Sequence, residues 1–105
     1  MKDVIEKTKK AMDGYKREFP EMKFDRDYYP FKITEEWGEC MQAYLMLTDR
    51  GRQKDKTKDE LRAELKKEIA DVLGFLILFA DNEGIDIEDA LAEKWFARIK
   101  EDESK

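Results

Sequence analysis

Four acids in two spaced pairs are the residues of this sequence best placed to do chemistry. Glu36 and Glu39 stand three apart, Glu68 and Asp71 repeat the spacing, and Glu35 adjoins the first pair. On a helix, positions i and i+3 share a face. Glu36 and Glu39 fall among Ile33, Cys40, Ala43, Tyr44 and Leu47; Glu68 and Asp71, with Glu64, fall among Leu61, Leu65, Val72, Phe75 and Phe79. Stripes of that kind are the faces a helical bundle turns inward. Two carboxylates about 4 Å apart repel by roughly 4 kcal/mol at an effective dielectric near 20, and burial adds to the cost. Protons, cationic side chains or a metal must neutralise them. A single Glu pair in a lysine-rich chain reads as a solvated face carrying salt bridges. Two pairs, each centred in an apolar stripe, weigh against that reading. Four carboxylates facing one another across two helices with Mg²⁺ between them resolve the repulsion, as in other bundle-core carboxylate sites.

What the sequence lacks narrows the chemistry further. It contains no histidine and one cysteine, Cys40. Imidazole catalysis, an intrachain disulfide and a thiolate cluster are therefore excluded. Ser104, in the charged tail, is the only serine, which rules out a Ser-His-Asp hydrolase. An all-oxygen donor set favours a hard ion, Mg²⁺ or Mn²⁺. The net charge of −5 lacks the basic surface of a duplex binder, so a nucleic-acid polymer is not an expected partner. The start, MKDVIEKTKK, has no signal-peptide apolar stretch, and the run Val72 to Ala80 is too short to span a bilayer. A cytoplasmic location without a membrane partner is expected.

These acids need helices to hold them. With 105 residues, 45% charged and 41% hydrophobic, the chain suits one small domain, residues 1–105, of amphipathic helices. The first helix is predicted over 3–18, with Val4, Ile5, Thr8, Met12 and Tyr15 on one side, ending at Phe19-Pro20. The second begins near Pro30, where proline is tolerated, and runs to about Thr48. Gly51 and the charged stretch Arg50 to Lys58 connect it to the third. Thr57-Lys-Asp-Glu60 is a capping-box pattern, and the third helix runs from there to about Glu83, stopping at Gly84. Asp86 caps a fourth helix, 87 to about 101, followed by a frayed tail. The fold class is all-α: a four-helix bundle-like protomer. The segment Val72 to Ala80 is apolar nearly all round. One short chain supplies too little cover for it, so a homodimer or homotetramer is expected to complete the fold.

Phe31-Lys-Ile-Thr-Glu-Glu-Trp-Gly-Glu39, a spacer from Cys40 to Lys67, and Glu68-Ile-Ala-Asp71 form an EExxE–spacer–ExxD order. Glu83-Gly-Ile-Asp-Ile-Glu-Asp-Ala-Leu and Lys94 follow it. Over residues 28–98 the sequence resembles the MazG-like nucleotide pyrophosphohydrolases. The resemblance implies the all-α NTP pyrophosphatase fold. The implied activity is Mg²⁺-dependent hydrolysis of a nucleoside triphosphate between its α and β phosphates, giving monophosphate and pyrophosphate. It also implies Glu36, Glu39, Glu68 and Asp71 as the metal ligands. Related proteins often clear noncanonical or surplus nucleotides from the pool. With no nucleophilic side chain to use, water must attack, and Glu35 or Glu39 is expected to orient or deprotonate it.

Further residues are candidates for holding substrate. Lys32, one turn before Glu36, can contact phosphate or balance the acids. Lys94 matches a lysine of the family pattern, and Arg98 follows one turn on; as a plain structural feature the two are a helix C-terminal basic pair. The family's asparagine after that lysine is absent, Phe96, Ala97 and Arg98 standing there. Trp37, Tyr28, Tyr29 and Phe31 can stack on a base or serve as core. The basic loop of Arg50, Arg52, Lys54, Lys56 and Lys58 can attract triphosphate or be a solvated connection. Two other readings stand beside the main one: a phosphoribosyl-ATP pyrophosphatase-type activity, and a catalytically silent helical interaction module.

Overall fold

The computed structural model describes residues 1–52 and 54–103 and is helical throughout its regular elements. These are α1 (Lys2–Glu18), α2 (Tyr28–Leu47), α3 (Lys58–Asn82), α4 (Ile87–Leu91), a π-helical turn (Ala92–Phe96) and α5 (Ala97–Glu103). Ser104 lies outside the described residues. The fourth predicted helix is present but interrupted: the Ala97 N–H reaches back to the Ala92 carbonyl, five residues away, so one extra residue is carried in the ladder. Helix continues to Glu103, past the point where the sequence suggests fraying.

Side chains and turns fix the helix ends as the sequence suggests, with one exception. In the capping box the Glu60 N–H donates to Thr57 Oγ1 (3.1 Å) and the Thr57 N–H donates to Glu60 Oε1 (3.3 Å). Gly84, at φ +71°, ends α3 in a Schellman turn. Its N–H donates to the Asp81 carbonyl (3.0 Å) and the Ile85 N–H to that of Ala80 (2.8 Å). Asp86 Oδ1 accepts from the Asp89 N–H at 3.0 Å and caps α4. The exception is α2. It stops at Asp49 (φ +63°), a non-glycine in the left-handed region, again as a Schellman turn, with the Arg50 N–H on the Leu45 carbonyl at 2.8 Å. An aspartate tolerates that region through local hydrogen bonding.

The chain forms two compact units, Glu21–Leu76 and Met1–Pro20 with Ile77–Lys105. In the first, α2 and most of α3 make an antiparallel hairpin. At the loop end, Lys58 Nζ donates to the Leu47 carbonyl (2.7 Å). At the far end the Tyr28 and Tyr29 rings meet Phe75, with centroids 6.3 and 6.5 Å away. Tyr29, Glu36, Cys40 and Ala43 are the buried residues of α2 and share one face; Leu61 is the fully buried residue of α3. Each large apolar side chain so buried contributes about 1.5–3 kcal/mol. Tyr44, expected on that inner face, is 41% exposed. In the second unit Met12, Ile77, Leu78 and Ala80 are buried, and Lys9 pairs with Asp81 at 3.3 Å. The chain itself thus covers part of the apolar segment of α3, whereas Leu73 and Leu76 stay exposed.

Candidate metal centre

The antiparallel hairpin sets the middle of α2 beside the middle of α3, and that is where both acid pairs lie. Glu36, Glu68 and Asp71 each offer a carboxylate oxygen within 4.8 Å of the others, and Glu35, Glu36 and Glu39 do likewise. Burial is graded across the cluster. Glu36 is 8% exposed, Glu68 is half-buried, and Glu35, Glu39 and Asp71 are exposed. The site therefore has a closed floor and an open rim.

The electrostatics follow from that placement. Burial, then the charge and hydrogen bond of Glu39 and the charge of Asp71, push the Glu36 carboxyl up to about 7; Lys32 opposes the shift. Burial and the charges of Glu39 and Asp71 raise Glu68 as well. Burial, followed by the charge of Glu68, raises the Cys40 thiol, so this cysteine stays a neutral packing group. Glu68 Oε2 is sealed from solvent and has no hydrogen-bond partner among the described residues. An acceptor left in that condition costs about 1–3 kcal/mol or more.

Oxygens around one octahedral Mg²⁺ at about 2.1 Å lie roughly 3–4 Å apart. Oxygens of Glu36, Glu68 and Asp71 already lie within 4.8 Å of one another, and Glu39 groups with Glu36 and Glu35. The residues fit a hard divalent ion: the donors are all oxygen, one inner acceptor is unsatisfied, and the rim leaves room for water or a further ligand.

The chain is 32% identical over 86 residues to YvdC, an uncharacterized protein of Bacillus subtilis (strain 168), the match spanning 75% of this chain and 81% of YvdC. The chain belongs to the YvdC family. No protein-family profile matches it, and no solved structure does. Membership of the YvdC family names no substrate.

Around the cluster, the other candidate residues of this YvdC-family chain divide clearly. Lys32 is at the site, its Nζ 3.2 Å from Glu35 Oε1 and 3.5 Å from Glu36 Oε1. Glu64, on the same stripe of α3, is taken up by an ion pair with Lys56. Consecutive helical residues point about 100° apart, and Trp37, next to Glu36, is 53% exposed; Phe31 is 70% exposed. The four aromatics that could stack on a base or serve as core are therefore split, since Tyr28 and Tyr29 join Phe75 and Phe24. Much of the basic loop serves local structure: Lys58 holds Asp49 and the end of α2, and Arg50 lies over the Tyr44 ring. Lys94, in the π-helical turn, and Arg98, in α5, are exposed side chains of the other compact unit.

Phe75 is the participant that the sequence reading places only as core. Lys32 Nζ lies 5.6 Å from its ring centroid. A usable signal was present: Lys32 precedes Glu36 by one turn, Phe75 follows Asp71 by one turn, and an antiparallel hairpin brings those positions to the same end.

Proposed function

We propose that this protein is a Mg²⁺-dependent nucleotide pyrophosphohydrolase of the MazG-like type, acting on nucleoside triphosphates to release monophosphate and pyrophosphate. The observation that carries this reading is the meeting of Glu36, Glu68 and Asp71 oxygens from two helices within 4.8 Å, with Glu68 Oε2 buried and unpartnered among the described residues. Glu36, Glu39, Glu68 and Asp71 would hold Mg²⁺, or Mn²⁺ in its place. When bound, such an ion draws charge from phosphoryl oxygens and activates water. Glu36 and Glu68 form the floor of the site and fix its position. Glu39 and Asp71, at the rim, face the side from which substrate comes. Glu35 and Glu39 are the exposed carboxylates available to orient the attacking water or accept its proton.

The same reading includes self-association and work in the cytoplasm. On α2, Phe31, Trp37 and Leu45 are exposed; on α3, Ile69, Leu73 and Leu76 are. Apolar surface of that extent on two helices of one hairpin marks an interaction face, and a second copy of the chain supplies matching helices. Among the described residues, no helix is long and apolar enough to cross a membrane.

The deciding experiment incubates the protein with each NTP, each dNTP and phosphoribosyl-ATP plus Mg²⁺ and measures pyrophosphate. Release from one or more nucleoside triphosphates is expected. Release from phosphoribosyl-ATP alone would move the assignment to that biosynthetic activity. No release from any of them, together with no thermal shift by Mg²⁺, would make the protein a silent helical module.

A further inference from the structure

Lys32 is held by two kinds of group that attract a cation. Glu35 Oε1 lies at 3.2 Å and Glu36 Oε1 at 3.5 Å. Its Nζ also lies over the Phe75 ring, 5.6 Å from the centroid. Phe75 is itself steadied by Tyr28 and Tyr29, whose rings meet at 5.5 Å. The lysine side chain is 25% exposed, and among the described residues it is the cation paired with the acid cluster.

One ammonium cannot balance this many carboxylates. It touches Glu36, the most enclosed of them, and leaves the Glu68 Oε2 acceptor without a partner. A surface salt bridge would need only Glu35; the reach to Glu36 and the ring behind it are features of a seat. That seat also has two ends. Glu36 meets Glu68 and Asp71 across the hairpin, whereas Glu35 groups only with Glu36 and Glu39 on its own helix and, with Phe75, can hold the ammonium after Glu36 has turned to another cation.

We propose that Lys32 is the site's own stand-in cation: it neutralises Glu36 while no divalent ion is bound and yields Glu36 when one arrives. Glu35 and the Phe75 ring then retain it at the margin, where it meets the anionic phosphate chain of the substrate. This rests on the reading of the quartet as a metal centre. It goes further in making Lys32 a competitor of the metal as well as a phosphate contact, so metal affinity is set below what the carboxylates alone would give.

The test compares the wild type, Lys32→Met and Lys32→Arg, with Mn²⁺ or Mg²⁺ alone as the probe and no nucleotide present. Calorimetric titration should show Mn²⁺ binding to Lys32→Met about tenfold more tightly, the loss of a nearby positive charge favouring a second cation. Lys32→Arg keeps the charge and should bind Mn²⁺ close to the wild-type affinity. In EDTA at pH 8, Lys32→Met should melt below the wild type. A measurement on the wild type guards against poor folding of the variant: the Lys32 ¹⁵Nζ signal should shift on Mg²⁺ saturation. Equal Mn²⁺ affinity in wild type and Lys32→Met, or a Lys32 signal that does not move, would overturn the proposal while leaving the metal centre standing. Failure of the wild type to bind either ion would overturn both.

Discussion

Glu36 on α2 and Glu68 on α3 bring carboxylate oxygens within 4.8 Å of each other, and Glu36 is 8% exposed. Neither helix alone creates this proximity. The α2–α3 hairpin does, with Lys58 on the Leu47 carbonyl at one end and Phe75 against Tyr28 and Tyr29 at the other. The fold therefore holds like charges together, and the energy stored there should be readable in solution.

The first expected outcome is an unusual pH dependence without metal. Glu36 is raised to about 7, and Glu68 is raised as well. Between the ordinary carboxylate range and those raised values the folded state binds more protons than the unfolded state. Stability therefore falls as pH rises through that window, and is greatest below it. Thermal melts in EDTA should show Tm decreasing from about pH 5 to pH 8. Saturating Mg²⁺ should reverse the loss at pH 8 and have little effect at pH 5. A metal-free Tm that rises with pH across this window would contradict the arrangement.

Glu36→Gln separates the acid's structural cost from its chemical use. It removes the charge and keeps the shape, so at pH 8 without metal the variant should melt above the wild type. For a domain of this size about 1 kcal/mol corresponds to roughly 4–8 °C. The variant should also lose the Mg²⁺-dependent thermal shift and the Mg²⁺-dependent release of pyrophosphate. Asp71→Asn, at the exposed rim, should lose turnover with a smaller change in metal-free Tm. Circular dichroism should remain helical for both, and retained turnover in Glu36→Gln would remove it from the site.

Local rules account for what was legible in the sequence and where it stopped. Thr57-Lys-Asp-Glu60, Gly84 and Asp86 act within one or two turns of themselves, so their roles could be read directly. The end of α2 near Thr48 was legible, but the left-handed conformation of Asp49 beyond it was not, because the residue expected in that region is glycine. The inward set of Glu36 and Glu68 was visible as a stripe, but its gradation was not. Whether Glu39 and Asp71 lie at floor or rim depends on the roll of each helix in the hairpin, a tertiary variable. Phe75 beneath Lys32 is likewise a relation between helices. The extra residue at Ala92–Phe96 has no sequence mark that we can name.

The capping box should matter to the site through the helix it starts. Thr57 and Glu60 each satisfy the other's N–H, and Glu68 and Asp71 lie further along that helix. Thr57→Ala should cost about 1 kcal/mol, visible as a lower urea midpoint with unchanged m-value. Because the acids lie more than two turns from the cap, Mg²⁺ affinity should change little. A large loss of affinity at unchanged stability would mean that the first turn of α3 positions the carboxylates more directly than its hydrogen bonds suggest.

The exposed leucines of α3 should govern assembly. Leu73 is 52% exposed and Ile69, one turn earlier, is equally so, on a helix whose other side carries the acids. Burying a leucine contributes about 1.5–3 kcal/mol, and in a two-fold interface each substitution acts twice. Leu73→Glu should therefore weaken self-association by roughly 100-fold or more, since each 1.4 kcal/mol is tenfold. Light scattering behind size-exclusion chromatography should show an oligomer for the wild type and a shift to monomer for the variant at low micromolar concentration. Mn²⁺ titration of the same variant then asks a separate question. The proposed ligands Glu36, Glu39, Glu68 and Asp71 all come from one hairpin of one chain, so the dissociated variant should bind Mn²⁺ like the wild type. Loss of Mn²⁺ binding on dissociation would show that the second copy is needed to hold α2 and α3 in register.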